Sequence, residues 1–422
     1  MIALLNFNTY LGGGETLLVR LAEYLQQSGQ DFLLFYKSNS YISADLKKKS
    51  IDGRHCIEID MRTDYYYLSE SERDHLRRTI LGHLHGDNYY ELYSFCARDL
   101  YLTVDLTKYC SGNLKLIHLV LHDQDNLYCC QSLYDKFKLI AFGKRSFSDK
   151  KMLEFNKALF NQVCEHGVVI PQSDLVTRLW SEQYNINLDF KEVVPLPTCS
   201  FSNYSFNIDN NKKILWIGRI VDFKIPAICA MLDFLKKRPD YSLSIVGYGH
   251  ESFVENYMMK HGVNKDQVSF LGKVNYDELK TVIQSHSIGY AMGTSIVEIA
   301  QYGLPVIMAL ASPDYKLFNN DVCGGLYVNK SKGNVGVDLF YKNSLDGFPS
   351  IADTVSDIEN NFSECAIKSY DCIKSMFDFE KNASMYFSIP QCCGTYHKYD
   401  IYIRKASPLR VLAYKVVNYF KK

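Results

Sequence analysis

The segment KILWIGRIVDFK, residues 213–224, places a short apolar run directly before a Gly-Arg pair and a downstream lysine. An apolar run that stops at a glycine is typical of a buried strand that ends at the edge of a parallel sheet. Outward from it, apolar runs alternate with amphipathic stretches, which predicts a parallel α/β domain. Its predicted strands are Ile214–Ile217, Ser242–Val246, Val268–Leu271, Ile288–Ala291 and Pro305–Ala309, and its predicted helices lie near Pro226–Lys237, near Phe253–His261, at Tyr276–Ser285 and at Ser295–Tyr302.

The residues before this array carry a similar but less regular pattern. The segment Glu15–Ser28 places its leucines on one face of a predicted helix. Residues 65–110 are rich in tyrosine and irregular, and no element is assigned there. The other predicted elements are the strands Ile2–Asn6, Asp31–Tyr36, Leu116–Leu121, Lys138–Phe142, Val168–Pro171 and Val193–Pro197 and the helix Asp174–Tyr184.

These patterns predict an α/β protein of two Rossmann-like domains, which agrees with a length of 422 residues. The first domain is expected over residues 1–197 and the second over 213–395. Residues 198–212 are polar and are predicted to link them. Residues 396–422 form a basic C-terminal segment in which apolar residues recur near helical spacing.

The composition excludes several classes of protein. Lys+Arg and Asp+Glu both number 47, and this balance argues against a nucleic-acid partner. The 13 cysteines form no CxxC pair and no zinc-binding spacing with histidine, so reduced thiols in a cytoplasmic compartment are expected. The N-terminus has no basic region before its apolar run and is predicted as a strand, not as a signal peptide. No apolar stretch is long enough for a membrane span.

The first candidate binding motif is Gly12-Gly13-Gly14, between the first strand and the first helix. Glycines let the backbone approach a ligand, and a helix N-terminus offers free N–H groups to an anion. The alternative is a simple turn in which Glu15 is stabilised by the helix dipole.

The second motif is Gly218-Arg219 with Lys224, at the predicted end of a strand. Ligands bind at the carboxyl ends of strands in open parallel sheets, and arginine and lysine suit a diphosphate there. The alternative is a pair of solvated cations in a loop.

The third motif is Gly293-Thr294-Ser295 followed by Glu298. A glycine turn before a helix forms an anion nest, and Glu298, one turn later, could accept hydrogen bonds from ribose hydroxyls. The alternative is a capping box of Ser295 and Glu298, which needs no ligand.

The fourth motif is His118 and His122, close to the end of a predicted strand. A histidine there can transfer a proton or bind a sugar hydroxyl, although a lone histidine is more often structural. Asp123 and Asp125 have the spacing of a metal-binding Asp-x-Asp but lie in the first half of the chain, far in sequence from the predicted phosphate-binding cations.

Taken in order, these motifs resemble the retaining family-4 glycosyltransferases of the GT-B fold. The resemblance is strongest over Lys213–Ala309, where ILWIGRIVDFK, LSIVGYGHE, VSFLGKVNYDEL and MGTSIVEIAQYGLPVIMA are similar to the successive strands and the donor-binding helix of that family. The GGGE loop and VIPQSD in the first half also fit. The implied fold has two Rossmann-like domains with parallel sheets that face a central cleft.

The resemblance implies a site for a nucleotide-diphosphate sugar. In that site Arg219 and Lys224 would grip the diphosphate, and the amides of Thr294 and Ser295 would bind the distal phosphate. Glu298 would hold the ribose.

Further residues are implied around this ligand. Gly13 and Gly14 would line the phosphates from the facing domain, and His122 would lie beside the transferred sugar. Gly218 and Gly293 would let the backbone approach the donor. His122, Arg219 and Lys224 are the expected catalytic set.

One position departs from the family pattern. The family often carries two glutamates separated by seven residues, and the second corresponds to Glu298. The first would fall at position 290, which is Tyr290. The family glutamate at that position contacts the donor sugar.

The resulting expectation is a glycosyltransferase that moves a sugar with retention to a glycan or lipid-linked acceptor in surface-polysaccharide biosynthesis. It would need no metal and no cofactor besides the donor substrate. The tail Ser407–Lys422 is expected to bind an anionic membrane surface at the inner membrane face, or else to pack on the N-terminal domain.

Two other functions stay open. A catalytically silent GT-B subunit that binds a partner transferase or a glycan is favoured by Tyr290 and opposed by Arg219, Lys224 and Glu298. A nucleotide-sugar 2-epimerase of similar fold would need a set of acidic residues in the cleft, which the sequence does not reveal.

Overall fold

A computed structural model shows how the chain folds and divides it into two compact units. The first unit comprises Met1–Ile140, Ser146–Leu196 and Glu380–Lys422, and the second comprises Ala141–Arg145 and Pro197–Phe379. The residues that the structure describes are 1–8, 13–61, 63–84, 89–110, 113–121, 149–184, 192–198, 201, 210–312, 321–328, 332–338, 347–392, 395–399, 401, 403 and 411.

The first unit is built on a parallel six-stranded sheet in the order β3-β2-β1-β4-β5-β6. The direction in which successive strands are added to the sheet reverses between β1 and β4. These two strands are parallel neighbours, with Ile2 opposite Glu91. This strand order is that of a Rossmann fold. The strands are β1 (Ile2–Asn6), β2 (Phe32–Lys37), β3 (Cys56–Ile59), β4 (Tyr90–Ser94), β5 (Leu114–Val120) and β6 (Val168–Pro171).

Amphipathic helices cover this sheet. The predicted leucine face of the first helix is confirmed, because Leu17, Leu18, Leu21 and Leu25 are all buried. The helices are α1 (Gly13–Gln27), α2 (Tyr41–Lys48), α3 (Glu70–His83), α4 (Ala97–Tyr109), α5 (Lys150–His166) and α6 (Asp174–Tyr184).

Two expectations for the first unit are wrong. Residues 65–110 contain the regular elements α3, β4 and α4. Val193–Pro197 forms no strand: Val194 N–H donates to the Pro171 carbonyl at 3.0 Å, but Pro195 and Pro197 have no N–H to continue a ladder. The predicted strand Lys138–Phe142 lies outside the described residues.

The second unit is built on a parallel five-stranded sheet in the order β11-β10-β7-β8-β9. All five predicted strands are confirmed, to within a residue or so at their ends. Strand addition reverses between β7 and β10, and a separate pair, β12 with β13, follows. The strands are β7 (Lys213–Ile217), β8 (Ser242–Val246), β9 (Val268–Gly272), β10 (Ile288–Ala291), β11 (Val306–Met308), β12 (Leu310–Ala311) and β13 (Val337–Asp338).

The helices of the second unit pack on both faces of this sheet. One core cluster includes Trp216, Ile228 and Tyr290, and another includes Leu215, Ile299 and Phe377. The helices are α7 (Ile225–Lys237), α8 (Glu251–His261), α9 (Tyr276–Gln284), α10 (Thr294–Ala300), α11 (Ile351–Asn360) and α12 (Phe362–Met376).

The chain returns to the first unit through the helix α13 (Phe379–Cys392). The Tyr386 hydroxyl donates to the Val194 carbonyl at 3.0 Å, and the Tyr93 hydroxyl donates to the Tyr386 carbonyl at 3.2 Å. The predicted second domain, 213–395, therefore extends too far, since the chain from Glu380 onward belongs to the first unit.

The segment that follows this helix also packs on the first unit. Buried Arg73 donates to the Ile403 carbonyl at 2.9 Å, and the Lys108 ammonium donates to the Ile401 carbonyl. The predicted membrane-binding tail, Ser407–Lys422, lies outside the described residues except for Val411. Within the part of the chain that is described, no helix has the length and apolar character needed to cross a membrane.

Candidate functional site

The motifs predicted in the second unit meet at one edge of its sheet. Strands β7 and β10 are parallel neighbours, with Trp216 opposite Tyr290. The residues that follow each strand therefore emerge side by side. Because strand addition reverses between these two strands, this is the edge at which open α/β sheets bind ligands.

The loop after β7 is fixed by the loop after β8. Gly218 N–H donates to the Val246 carbonyl and Ile220 N–H donates to the Tyr248 carbonyl, each at 2.9 Å. Gly247 and Gly249 both have φ of 145°, a conformation that favours glycine.

Side chains at these two glycines would also clash. A Cβ at Gly247 would overlap the Gly218 carbonyl oxygen, and one at Gly249 would overlap the Ile220 carbonyl oxygen. The role of this Gly-x-Gly pair was not predicted from the sequence. The pattern that could have identified the pair is two glycines that flank one residue directly after a strand. In the structure, the pair holds the Gly-Arg loop in place.

Lys224 lies under this loop at the start of α7. Its Nζ is 2.9 Å from the position that a Cβ on Gly218 would occupy, and Gly218 has φ of 152°, a conformation that favours glycine. Burial lowers the pKa of Lys224 to about 8; the charge of Arg219 lowers it as well, while Glu298 acts in the opposite direction. Arg219 itself is exposed. The structure thus brings Arg219, Lys224 and Glu298 close enough to interact electrostatically.

The turn after β10 leads directly into α10. Gly293 is the N-cap of this helix, with φ of 70°, and its N–H donates to the Val335 carbonyl at 2.7 Å. Thr294 and Ser295 form the first helical turn, where backbone N–H groups have no partner within the helix. The capping-box alternative is wrong, because Ser295 lies inside the helix and not at its N-cap.

Position 290 faces the core of the unit and not its edge. The Tyr290 side chain is fully buried, its hydroxyl donates to the Ala227 carbonyl at 3.0 Å, and its ring lies 5.6 Å from that of Trp216. Burial raises the pKa of Tyr290 well above its usual range. From residue 288 to residue 298, Glu298 is the one carboxylate in the sequence.

The glycine motif of the first unit lies at the corresponding edge. Gly13 and Gly14 begin α1, after the central strand β1, while residues 9–12 lie outside the described part. Glu15 is buried and accepts a hydrogen bond from the Asn8 side chain at 2.7 Å. Glu15 therefore does more than interact with the helix dipole, because it also binds the Asn8 side chain.

His118 is a core residue. It is buried, its ring stacks with those of Trp180 and Phe160, and its Nδ1 lies 2.9 Å from the Ser94 hydroxyl. Burial lowers its pKa to about 3, so its ring is neutral at physiological pH.

The other members of the fourth motif cannot be placed. His122, Asp123 and Asp125 lie outside the described residues. Within the described chain, no group of three or more His, Cys, Asp or Glu side chains is arranged to hold a metal ion.

Part of the chain matches a known family. Residues 203–335 match the family described as glycosyl transferases group 1. A Haemophilus influenzae protein described as an uncharacterized glycosyltransferase is 21% identical over 313 residues, which cover 72% of this chain and 79% of that protein.

Solved structures share the whole fold. HepE from Anabaena, in complex with UDP-glucose, is 13% identical with a TM-score of 0.60, and the match covers 93% of this chain and 99% of HepE. The pneumococcal O-GlcNAc transferase GtfA, in complex with UDP and GlcNAc, is 9% identical with a TM-score of 0.59, over 92% of this chain and 98% of GtfA.

These likenesses and the two Rossmann-like units define a GT-B fold, as the sequence predicted. The group 1 domain over residues 203–335 contains the Gly-Arg loop, Lys224 and Glu298. Fold and domain together support a glycosyltransferase of the GT-B class.

Proposed function

We propose that this chain transfers a sugar from a nucleotide-diphosphate sugar to a glycan or lipid-linked acceptor, with retention, in surface-polysaccharide biosynthesis. The observation that carries the proposal is the meeting of Arg219, Lys224 and Glu298 where strands β7 and β10 end. A nucleotide-sugar donor is supported by the group 1 domain and by the fold.

In the proposed reaction, the oxygen of an acceptor hydroxyl bonds to the anomeric carbon as the bond from that carbon to the diphosphate breaks, and the hydroxyl proton passes to the departing diphosphate. Negative charge then builds up on the leaving diphosphate. Arg219, Lys224 and the amides of Thr294 and Ser295 place positive potential there before the reaction begins. With these cations in place, no metal ion is needed to neutralise the leaving group.

The remaining groups have supporting roles in this proposal. Glu298 accepts hydrogen bonds from the ribose hydroxyls, and Gly218 and Gly293 let the backbone approach the phosphates. The proposal also gives Gly13 and Gly14 a role in binding the phosphates and His122 a role at the transferred sugar.

The test uses the intact chain and a panel of UDP-, GDP- and ADP-sugars. At least one donor should raise the melting temperature and should release its nucleoside diphosphate faster when a glycan or lipid-linked acceptor is added. The anomeric configuration of the product tests retention, and activity in a chelator tests metal independence. A panel in which no donor binds would contradict the proposal.

A second candidate is a catalytically silent subunit of the same fold. The observation that favours it is the burial of Tyr290, which leaves Glu298 as the one carboxylate between residues 288 and 298. Such a subunit would bind a nucleotide or a glycan without releasing nucleoside diphosphate at any acceptor concentration.

The proposed location is the inner face of the cytoplasmic membrane, bound through the basic tail Ser407–Lys422. Co-sedimentation with vesicles that contain anionic lipid should retain the intact chain. It should fail with a version that ends at Ala406, which keeps the contact of Arg73 with Ile403. Equal binding of both versions would contradict this location.

A further inference from the structure

The carboxyl ends of β8 and β9 carry large side chains that are exposed to solvent. Tyr248, between the two glycines after β8, is 48% exposed. Phe253, in the first turn of α8, and Leu271, near the end of β9, are exposed as well. Exposed apolar groups that gather at one edge of a sheet mark a surface that binds a ligand.

Tyr248 differs from the other exposed tyrosines. The ring of Tyr89 packs 5.3 Å from that of Tyr396, and the Arg77 guanidinium lies 4.4 Å from the centre of the Tyr109 ring. Across the described residues, the Tyr248 ring has no such ring or cation partner. Its aromatic face is therefore available for stacking.

Hydrogen bonds hold the main chain of Tyr248 in a fixed place. The Tyr248 carbonyl accepts from Ile220 N–H at 2.9 Å, and Gly247 N–H donates to the Gly272 carbonyl at 2.8 Å. Gly249 N–H donates to the Glu251 carboxylate at 2.9 Å. These three hydrogen bonds order the loop that carries Tyr248, so little entropy is lost in ordering its main chain when a ligand binds.

The loop that carries Tyr248 is close to the proposed diphosphate site. Ile220, which donates to Tyr248, is the residue after Arg219. Strand β8 lies next to β7, and neighbouring strands are about 4.8 Å apart. A nucleoside diphosphate held by Arg219 and Lys224 is long enough to place its base over β8 or β9.

We infer that Tyr248 is the aromatic platform on which the base of the donor nucleotide stacks. This inference rests on the proposed function and adds a residue that binds the base. Stacking recognises the flat face that every base has, so Tyr248 strengthens binding of the nucleoside without selecting one base.

The test compares Tyr248→Ala and Tyr248→Phe with wild type by calorimetric titration with UDP, GDP, ADP and inorganic pyrophosphate. Tyr248→Ala should weaken the nucleoside diphosphate that wild type binds best by about five- to hundredfold. Tyr248→Phe should bind it within about twofold of wild type, since the ring remains. The affinity for pyrophosphate, which has no base, should be the same in all three proteins.

A matched control is Met259→Ala, which removes another exposed apolar side chain from α8 without changing the Gly-x-Gly loop. Wild-type affinity of Tyr248→Ala for the nucleoside diphosphate would overturn the inference and leave the proposed function standing. A loss of affinity that is equal for pyrophosphate would also overturn it. Wild type that binds no nucleoside diphosphate would overturn the proposed function and the inference together.

Discussion

The two units share one topology, but the carboxyl edges of their sheets differ in chemistry. In the second unit, the edge at β7 and β10 carries exposed Arg219 and half-buried Lys224 and Glu298. In the first unit, the edge at β1 and β4 carries buried polar groups, most of which bond to one another, although the Asn6 side-chain Nδ2 has no hydrogen-bond partner among the described residues. Asp99 accepts from Phe7 N–H at 3.2 Å, and Glu15 accepts from Asn8 at 2.7 Å.

The comparison teaches that a Rossmann-like sheet offers a binding edge without deciding what binds there. Polar groups that hydrogen-bond to each other stabilise a fold. Two neighbouring cations such as Arg219 and Lys224 repel each other, and a bound anion relieves that repulsion. The described edge of the second unit is therefore the one prepared for a diphosphate, and the following predictions test this contrast.

The largest effect is expected from the two cations of the second unit. Arg219→Ala or Lys224→Ala should each lower kcat by about 10²–10³-fold, because each removes positive charge from the leaving diphosphate. Circular dichroism should show an intact fold. Lys236→Ala, which removes an exposed cation from the same helix α7, serves as the control and should keep wild-type activity. Wild-type affinity of the Arg219/Lys224 double variant for the nucleoside diphosphate would refute the proposed site.

A smaller effect, on stability, is expected from the glycine that holds the Gly-Arg loop. Gly247→Ala should destabilise the second unit by at least about 1–3 kcal/mol, because it adds backbone strain and a clash with the Gly218 carbonyl. In urea unfolding, the first-unit control Gly82→Ala should stabilise by about 0.5–1 kcal/mol, since it lies in helix α3 with open space around it. Equal stability of Gly247→Ala and wild type would show that the loop is not held as described.

Glu298→Ala should weaken nucleotide affinity by about tenfold or more, because a hydrogen bond to a charged group is worth about 1.5–3 kcal/mol. Its melting temperature should change little, since Glu298 does not form the capping box. The control Glu278→Ala removes an exposed carboxylate from the neighbouring helix α9. A lower melting temperature with unchanged nucleotide affinity would assign Glu298 a purely structural role.

The mildest expected effect is a dependence of nucleotide affinity on pH, which arises from Lys224 in the second unit and not from His118 in the first. The pKa of Lys224 is about 8, so the ammonium is charged below pH 8 and loses its proton above it. Affinity for the nucleoside diphosphate should therefore fall as pH rises through about 8. His118, with a pKa of about 3, stays neutral over this range.

Variants of the neighbouring charges identify the group that titrates. Glu298→Gln removes an anion that raises the pKa of Lys224, so the fall in affinity should move to lower pH. Arg219→Ala removes a cation that lowers this pKa, so the fall should move to higher pH. A midpoint that is the same in both variants would assign the titration to another group.

The second unit could be predicted from sequence because its elements obey simple periodicity. In the strand Lys213–Ile217, the buried residues Ile214–Ile217 form a continuous apolar run that stops at Gly218, and in Ser242–Val246 serines alternate with apolar residues before Gly247. The grouping of Arg219, Lys224 and Glu298 at one site was implied by the resemblance to the glycosyltransferase family, whereas the pairing of β7 with β10 that brings them together is seen in the structure. Contacts that depend on side-chain direction, such as the burial of Tyr290, were not predictable.

One helix of the first unit, Ala97–Tyr109, could not be predicted because burial on all sides hides its helical period. In the helix Ala97–Tyr109 almost every residue is buried, including the polar residues Asp99, Thr103 and Asp105. With no solvent face, the apolar and polar residues do not alternate along the helix. Buried polar groups are stable there because they find partners: Asp105, for example, pairs with Arg77, itself a buried cation.

The contact between Arg73 and Ile403 joins residues that are 330 positions apart, and it sets an order of events during biosynthesis. The first unit has most of its strands early in the chain, yet Arg73 lacks this partner until residue 403 has left the ribosome. The second unit is complete by Phe379 and is contained between these two parts of the first. The unit that is synthesised in the middle is therefore free to fold before the unit that is begun first. During that interval the nascent chain exposes the surface of the first unit around Arg73 that the segment at Ile403 covers in the finished protein.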